Sequence, residues 1–248
     1  MTRSLHGKVV LITGAAHRIG AATARLLHGA GANIALHYRK SRSGAEQLQT
    51  ELNEQRRDSV ILVQGDLLDT ERLAGIVREA HATWGRLDVL INNASTFYPT
   101  PVGTITTQHW DDLLGSNLKA PLFLSQATAP FLKQSHGCIV NIVDIHAERP
   151  LRAHPVYSIA KAGLVMLTKA LACELGPEVR VNAIAPGAIL WPENEMDEAT
   201  KARIIDRTFL KRQGNPEDIA RAALFLIRDA DYTSGQILNV DGGRSLNS

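Results

Sequence analysis

Cysteine is nearly absent from this 248-residue chain: Cys138 and Cys173 stand alone, with no C-x-x-C pair and no metal-ligand spacing among the cysteines and histidines. A disulfide framework is therefore excluded and no metal is expected; two free, buried thiols in a reducing compartment are the simplest account. An excess of one charge is missing too, since 27 Lys and Arg against 25 Asp and Glu leave a net +2. Short basic clusters such as Arg56 and Arg57 occur, but none is interleaved with aromatic residues, so no nucleic-acid partner is expected. Long apolar runs are also lacking. The first one, VVLIT, ends after five residues, too short for a signal peptide's apolar region or a membrane span. No membrane association and a cytoplasmic location follow as expectations. There is no linker-like stretch, internal repeat or low-complexity tract. What remains is 44% hydrophobic and 21% charged, the composition of a globular protein with a sizeable core. Residues 1–248 suit one large α/β domain and are short for two.

Strand and helix patterns alternate from the start. Val9 to Ile12 is an apolar, β-branched run leading into the turn TGAAHRIG, and a helical pattern runs from near Ile19 to about Gly29. Strand, glycine turn and helix open a dinucleotide-binding unit. Gly14 permits the bend, Gly20 lets the helix approach the sheet, and N–H groups at the helix start, around Ile19, face a pyrophosphate. A second strand, Asn33 to Tyr38, ends in the sequence HYRKS, and no acid occurs between Gly31 and Ala45. An acidic residue here would bond the ribose 2′-OH of NAD, whereas basic groups accommodate a 2′-phosphate. His37, Tyr38, Arg39, Lys40 and Ser41 therefore point to NADPH, with Arg18 as a further cation near the phosphates.

The alternation continues with helix Gly44 to Gln55, strand Ser59 to Gln64, helix Thr70 to Trp84 and strand Leu87 to Ile91. Asp66, after the third strand, either meets the adenine or caps the following chain. The fourth strand delivers Asn93, Ala94 and Ser95 to the rim where ligands bind in open parallel sheets. Phe97 and Tyr98 follow in a proline-stiffened loop, an odd choice unless a flat ligand covers them or one of them fills the core. An amphipathic segment spans Thr106 to Leu132, with Asn117 among leucines; the amide either stabilises a helix break or holds a water by the site. Strand Cys138 to Val143 delivers Asp144. Helix Val156 to Leu175 and strand Arg180 to Ile184 follow, Pro186 and Gly187 ending the strand abruptly. Leu190, Trp191 and the acidic run to Glu198 read as a substrate-covering segment within a loop of about 187–212. A helix opened by Asn215–Asp218 and a strand from Gly235 to Val240 close the chain.

The chemistry concentrates between Asp144 and Lys161. YSIAK places Tyr157 and Lys161 on one helix face. An ammonium beside a phenol favours the phenolate, so Tyr157 is expected below its ordinary value and serviceable as a proton donor.

Together TGxxxxIG, NNA, YxxxK, PG and a late DGG resemble the short-chain dehydrogenase/reductase family over nearly the whole chain. The resemblance implies a doubly wound domain of about seven parallel strands and catalysis by Tyr157, with Lys161 on the nicotinamide ribose and Asn117 holding a relay water. It also implies a homotetramer or dimer built on helices 106–132 and 156–175. Three departures stand out: Arg18 replaces a customary glycine, Ser95 replaces another, and Asp144 replaces the serine. An ionised carboxylate cannot donate a hydrogen bond to a carbonyl oxygen, which disfavours simple ketone reduction. These departures, with STFYPTP and HYRKS, look like the pteridine reductase branch, implying pterin or folate reduction at a C=N bond with NADPH. On that resemblance Phe97 stacks on the pterin, Ser95 and Arg18 meet its polar edge or the phosphates, Asp144 and Tyr157 serve the ring nitrogens, and Leu190 and Trp191 cover the ring. Rival expectations are a reductase of a ketoacyl thioester or another ketone, and a non-catalytic NADP-binding sensor.

Overall fold

The computed structural model describes residues 4–189 and 197–247. Seven strands form one parallel sheet: β1 (Val9–Ile12), β2 (Asn33–Tyr38), β3 (Val60–Gln64), β4 (Val89–Asn92), β5 (Cys138–Ile142), β6 (Arg180–Pro186) and β7 (Ile237–Val240). Their order is β3-β2-β1-β4-β5-β6-β7. The helices are α1 (Arg18–Gly29), α2 (Arg42–Gln55), α3 (Leu73–Ala82), α4 (Thr107–Leu114), α5 (Ala120–Ser135), α6 (Pro155–Leu175), α7 (Glu198–Asp206) and α8 (Pro216–Arg228). β1, β4 and β5 are buried throughout, which is why they read as apolar runs rather than alternating ones, broken only by the buried Asn92 and Asn141. Helix signals are equally direct: Asn215 and Asp218 form a reciprocal capping box, with Pro216 in the first turn of α8. Two apolar layers, one centred on Ile12, Leu36 and Leu226, the other on Leu11, Leu90 and Leu124, cover the two faces of the sheet.

The order reverses between β1 and β4. From β1 the chain moves outward through β2 and β3, then returns to place β4 on the other side of β1. The crevice at their carboxyl ends is the topological switch point at which open α/β sheets bind ligands. Both the glycine turn after β1 and the NNA turn after β4 lie there.

Three expectations are corrected. The 106–132 segment is not one helix: α4 and α5 are separated by a π-helical stretch, Gly115–Lys119, because the Asn117 amide takes up backbone carbonyls. β6 runs through Pro186 rather than stopping at Ile184, since Pro186 pairs only with Val240 and its missing N–H breaks no ladder to β5. The 187–212 stretch is not wholly loop: Asp197 accepts from the Thr200 N–H and starts α7. Leu190 and Trp191, expected over the substrate, lie outside the described residues.

Candidate active site

The glycine turn and the NNA turn are locked together. Thr13 Oγ1 accepts from the N–H groups of Asn93 and Ala94 at 2.9 and 3.0 Å, and Asn93 Nδ2 donates to the Thr13 and Gly14 carbonyls at 2.8 and 3.1 Å. Gly14 has φ +61°, and a Cβ on Gly20 would lie 2.6 Å from the Gly14 carbonyl oxygen. Neither position accepts a side chain. Arg18, at the place of the customary glycine, has φ +55°, a left-handed conformation that costs a non-glycine residue about 1 kcal/mol. α1 has no side-chain cap and no acid in its first turn, so its leading N–H groups suit a pyrophosphate. Gly187 completes the rim, as a Cβ there would meet Asp241 Cα at 2.7 Å.

The basic cluster divides in two. Arg39, Lys40 and Ser41 are exposed where α2 begins, and Ser41 makes no capping bond of its own. This uncapped, cationic helix start fits a 2′-phosphate. His37 and Tyr38, expected beside them, are buried instead. The His37 imidazole accepts from the Gly14 N–H at 3.3 Å and bonds the Gly65 carbonyl at 3.2 Å through its other nitrogen. Burial drives its pKa down to about 4, so His37 is a neutral strut behind the turn and adds no charge. The two side chains point to opposite faces of β2, and both are enclosed because the strand is buried from Ile34 onward. Asp66 accepts from the Leu68 N–H at 3.0 Å and so caps the chain after β3.

Asp144 follows β5 and caps the turn Ile145–Ala147, its Oδ1 accepting from the His146 N–H at 2.8 Å. Its other oxygen accepts the Tyr157 phenol at 2.8 Å. Lys161, 2% exposed, donates to the Ile142 carbonyl at 2.9 Å, with Nζ 5.7 Å from the Tyr157 ring centroid. Burial lowers the Lys161 pKa to about 8. The expectation for Tyr157 is reversed: burial first, then the Asp144 charge and hydrogen bond, hold the phenol well above its ordinary value. Lys161 does not offset this, because its described hydrogen bond goes to a carbonyl rather than to the phenol. Asn117 is fully enclosed; Nδ2 donates to the Leu113 and Thr96 carbonyls, both at 2.9 Å, and Oδ1 accepts from Ser95 at 2.6 Å. Of the two readings open for Asn117, the helix break is the one this geometry displays.

The aromatic pair also divides. Tyr98 packs against Leu113, Val156 and Tyr157 and donates to Asp112 at 3.0 Å, whereas Phe97 stays 46% exposed. The Phe97 ring stacks on His154 at 4.7 Å and meets Tyr157 edge-on at 4.8 Å. His154 carried no recognisable sequence signal. Arg244 was missed as well. It lies in the half-buried last turn, which the Arg149 guanidinium pins by donating to the Asn247 carbonyl, and burial lowers its pKa while the Asp144 charge opposes that shift. The late DGG motif marked the turn but not its arginine.

Sheet order, glycine turn and a buried Tyr–Lys pair define a doubly wound oxidoreductase dependent on a nicotinamide dinucleotide. A family model described as enoyl-(acyl carrier protein) reductase matches residues 14–245, and the chain belongs to the short-chain dehydrogenase/reductase family. It is 33% identical to pteridine reductase 1 of Leishmania tarentolae, over 99% of this chain and 99% of that protein. It is 34% identical to the 3-oxoacyl-(acyl-carrier-protein) reductase of Thermotoga maritima, over 96% and 98%. The corresponding reductase of Staphylococcus aureus is 32% identical over 95% and 97%.

Proposed function

We propose that this enzyme reduces pterins, or dihydrofolate, with NADPH. The observation that carries the reading is the Asp144 carboxylate hydrogen-bonded to Tyr157 at 2.8 Å. A carboxylate beside the proton donor accepts hydrogen bonds from N–H groups, which a pterin ring offers and a ketoacyl carbonyl does not. Phe97 supports it, as a half-exposed ring beside Tyr157 suits a flat heterocycle. One Phe97 face is taken by His154, so the pterin is assigned to the other.

NADPH supplies the hydride when bound, held by the α1 start, Gly14, Gly20 and Asn93, with Arg39, Lys40 and Ser41 at the 2′-phosphate. Arg18 and Ser95 meet the pterin edge or the phosphates. Tyr157 supplies the proton to the ring nitrogen next to the reduced carbon. Asp144 orients both the phenol and the ring, and its charge favours the Lys161 ammonium. The test is NADPH consumption with dihydrobiopterin or dihydromonapterin against an acetoacetyl thioester. We expect turnover of the pterins and little of the thioester; the opposite preference makes the enzyme a ketoacyl reductase.

We also propose a homotetramer. α6 is long and apolar enough to cross a membrane by length and composition, yet it packs against β6 and carries the buried Tyr157 and Lys161. Its large apolar side chains Ile159 and Met166 are exposed, as is Leu122 of α5, and further copies of the chain would cover them.

A further inference from the structure

Phe97 is half-exposed in a loop, yet its ring has a neighbour on two sides. The His154 imidazole lies 4.7 Å away and 11° from parallel, and the Tyr157 ring meets it edge-on at 4.8 Å. His154 is itself fixed. A carbonyl can only accept, so the imidazole Nδ1 carries a hydrogen and donates to the Arg152 carbonyl at 2.9 Å. The His154 backbone N–H donates to the Leu151 carbonyl at 3.1 Å, and the Leu151 N–H in turn donates to the Ser158 hydroxyl of α6 at 3.3 Å. The turn before α6 is also latched to the Phe97 loop through the backbone, as the N–H of the enclosed Thr100 donates to the Ala153 carbonyl at 2.7 Å. Ala153 has φ +62°, a conformation uncommon outside glycine. Backbone strain therefore sits at the point where the two loops meet.

We infer that His154 is a positioning residue that holds the Phe97 ring as a fixed wall for the acceptor. The inference rests on the reading of Phe97 as the pterin-facing ring. An exposed phenylalanine samples several rotamers, and ordering it at the moment of binding costs entropy that weakens the complex. Here the imidazole face and the Thr100–Ala153 latch order the ring before any ligand arrives. With one face of Phe97 covered, a flat acceptor is confined to the other, beside the Tyr157 phenol. His154 takes part in neither hydride nor proton transfer and acts through Phe97.

The experiment measures KM, kcat and NADPH affinity for wild type, His154→Ala, His154→Leu and His154→Phe, and for His154→Ala in a Phe97→Ala background. The acceptor is whichever of dihydrobiopterin and the acetoacetyl thioester the wild type reduces. For His154→Ala we expect KM to rise roughly 3- to 10-fold, the size of one aromatic stack, with kcat and NADPH affinity within about twofold of wild type. His154→Phe supplies a flat ring and should recover most of the wild-type KM, whereas His154→Leu fills the space without one and should not. In the Phe97→Ala background His154→Ala should raise KM no further, since two residues that act as one unit are not additive. An unchanged KM in His154→Ala, full additivity with Phe97→Ala, or recovery in His154→Leu equal to that in His154→Phe overturns the inference while pterin turnover by the wild type upholds the substrate reading. Wild-type reduction of the thioester alone defeats the pterin reading; the variants are then compared on the thioester, where a raised KM upholds the role of His154 and an unchanged one overturns it. Reduction of neither acceptor defeats both.

Discussion

Single side chains set both the chemistry and its pH range. In the proposed mechanism Lys161 acts as the ammonium, and burial has lowered its pKa to about 8. Turnover should therefore decline as pH rises through about 8. The stability sign is opposite: a lysine whose folded pKa lies below its unfolded value of about 10.4 is a penalty while protonated, so its contribution improves as pH rises from about 8 towards that value. A pH–rate profile beside thermal melts should show activity falling where this group ceases to cost stability. Parallel loss of both would remove Lys161 as the cause. Asp144→Ser should lower pterin turnover by about a hundredfold or more while NADPH binding stays near normal, as measured by fluorescence titration. Tyr157→Phe should abolish turnover with cofactor still bound. The thiols differ in the same local way. Cys138 is enclosed and burial raises it to about 11, while Cys173 is exposed. One thiol should react with an aromatic disulfide reagent in the native protein and two after unfolding.

Elements transmit these effects through close approach. The Gly20 contact with the Gly14 carbonyl leaves no room for a methyl group, so Gly20→Ala should separate α1 from the turn and abolish NADPH binding, a change calorimetry would record directly. At the opposite end of the sheet, Asp88 at the start of β4 ties β4 to β1. Its oxygens accept from the Val9 N–H, Lys8 and Arg86. Burial opposes its ionisation, yet the bonds to Arg86, Val9 and Lys8 hold its pKa below the usual carboxylate value. A depressed carboxylate stabilises the fold above its unfolded pKa, about 3.9, and that contribution is lost as pH falls through the lower folded value. Asp88→Ala strands the buried Val9 N–H and should cost about 1–3 kcal/mol in denaturant titration, with a weaker acid dependence.

For the whole molecule, one apolar helix serves two purposes. α6 carries Tyr157 and Lys161 on its buried side and Ile159 and Met166 on the exposed one. If copies associate through this face, Met166→Glu should break the assembly to smaller species in light scattering, against a chain mass of 27.0 kDa. An unchanged mass would place the contact elsewhere. Turnover should fall with dissociation, since the buried face of that helix holds Tyr157, the proposed proton donor.

Local chemistry made much of the protein legible in sequence. Strands buried on both faces are largely apolar, a left-handed turn favours glycine, and a helix brings residues four apart onto one face; β1, β2, β4 and β5, Gly14 and the Tyr157–Lys161 pair follow from those constraints. What needed the tertiary structure was every property that depends on a partner distant in the chain. Whether His37 is a cation or a strut is decided by burial, which outweighs the opposing bond to the Gly65 carbonyl, 28 residues away. The direction of the Tyr157 shift is set by Asp144 and by enclosure rather than by the neighbouring lysine. Phe97 and Tyr98 read alike in sequence, and only packing against Leu113 and Val156 sends one inward and leaves the other half-exposed beside Tyr157. Short-range sterics are written residue by residue, whereas charge, solvation and orientation belong to the assembled crevice.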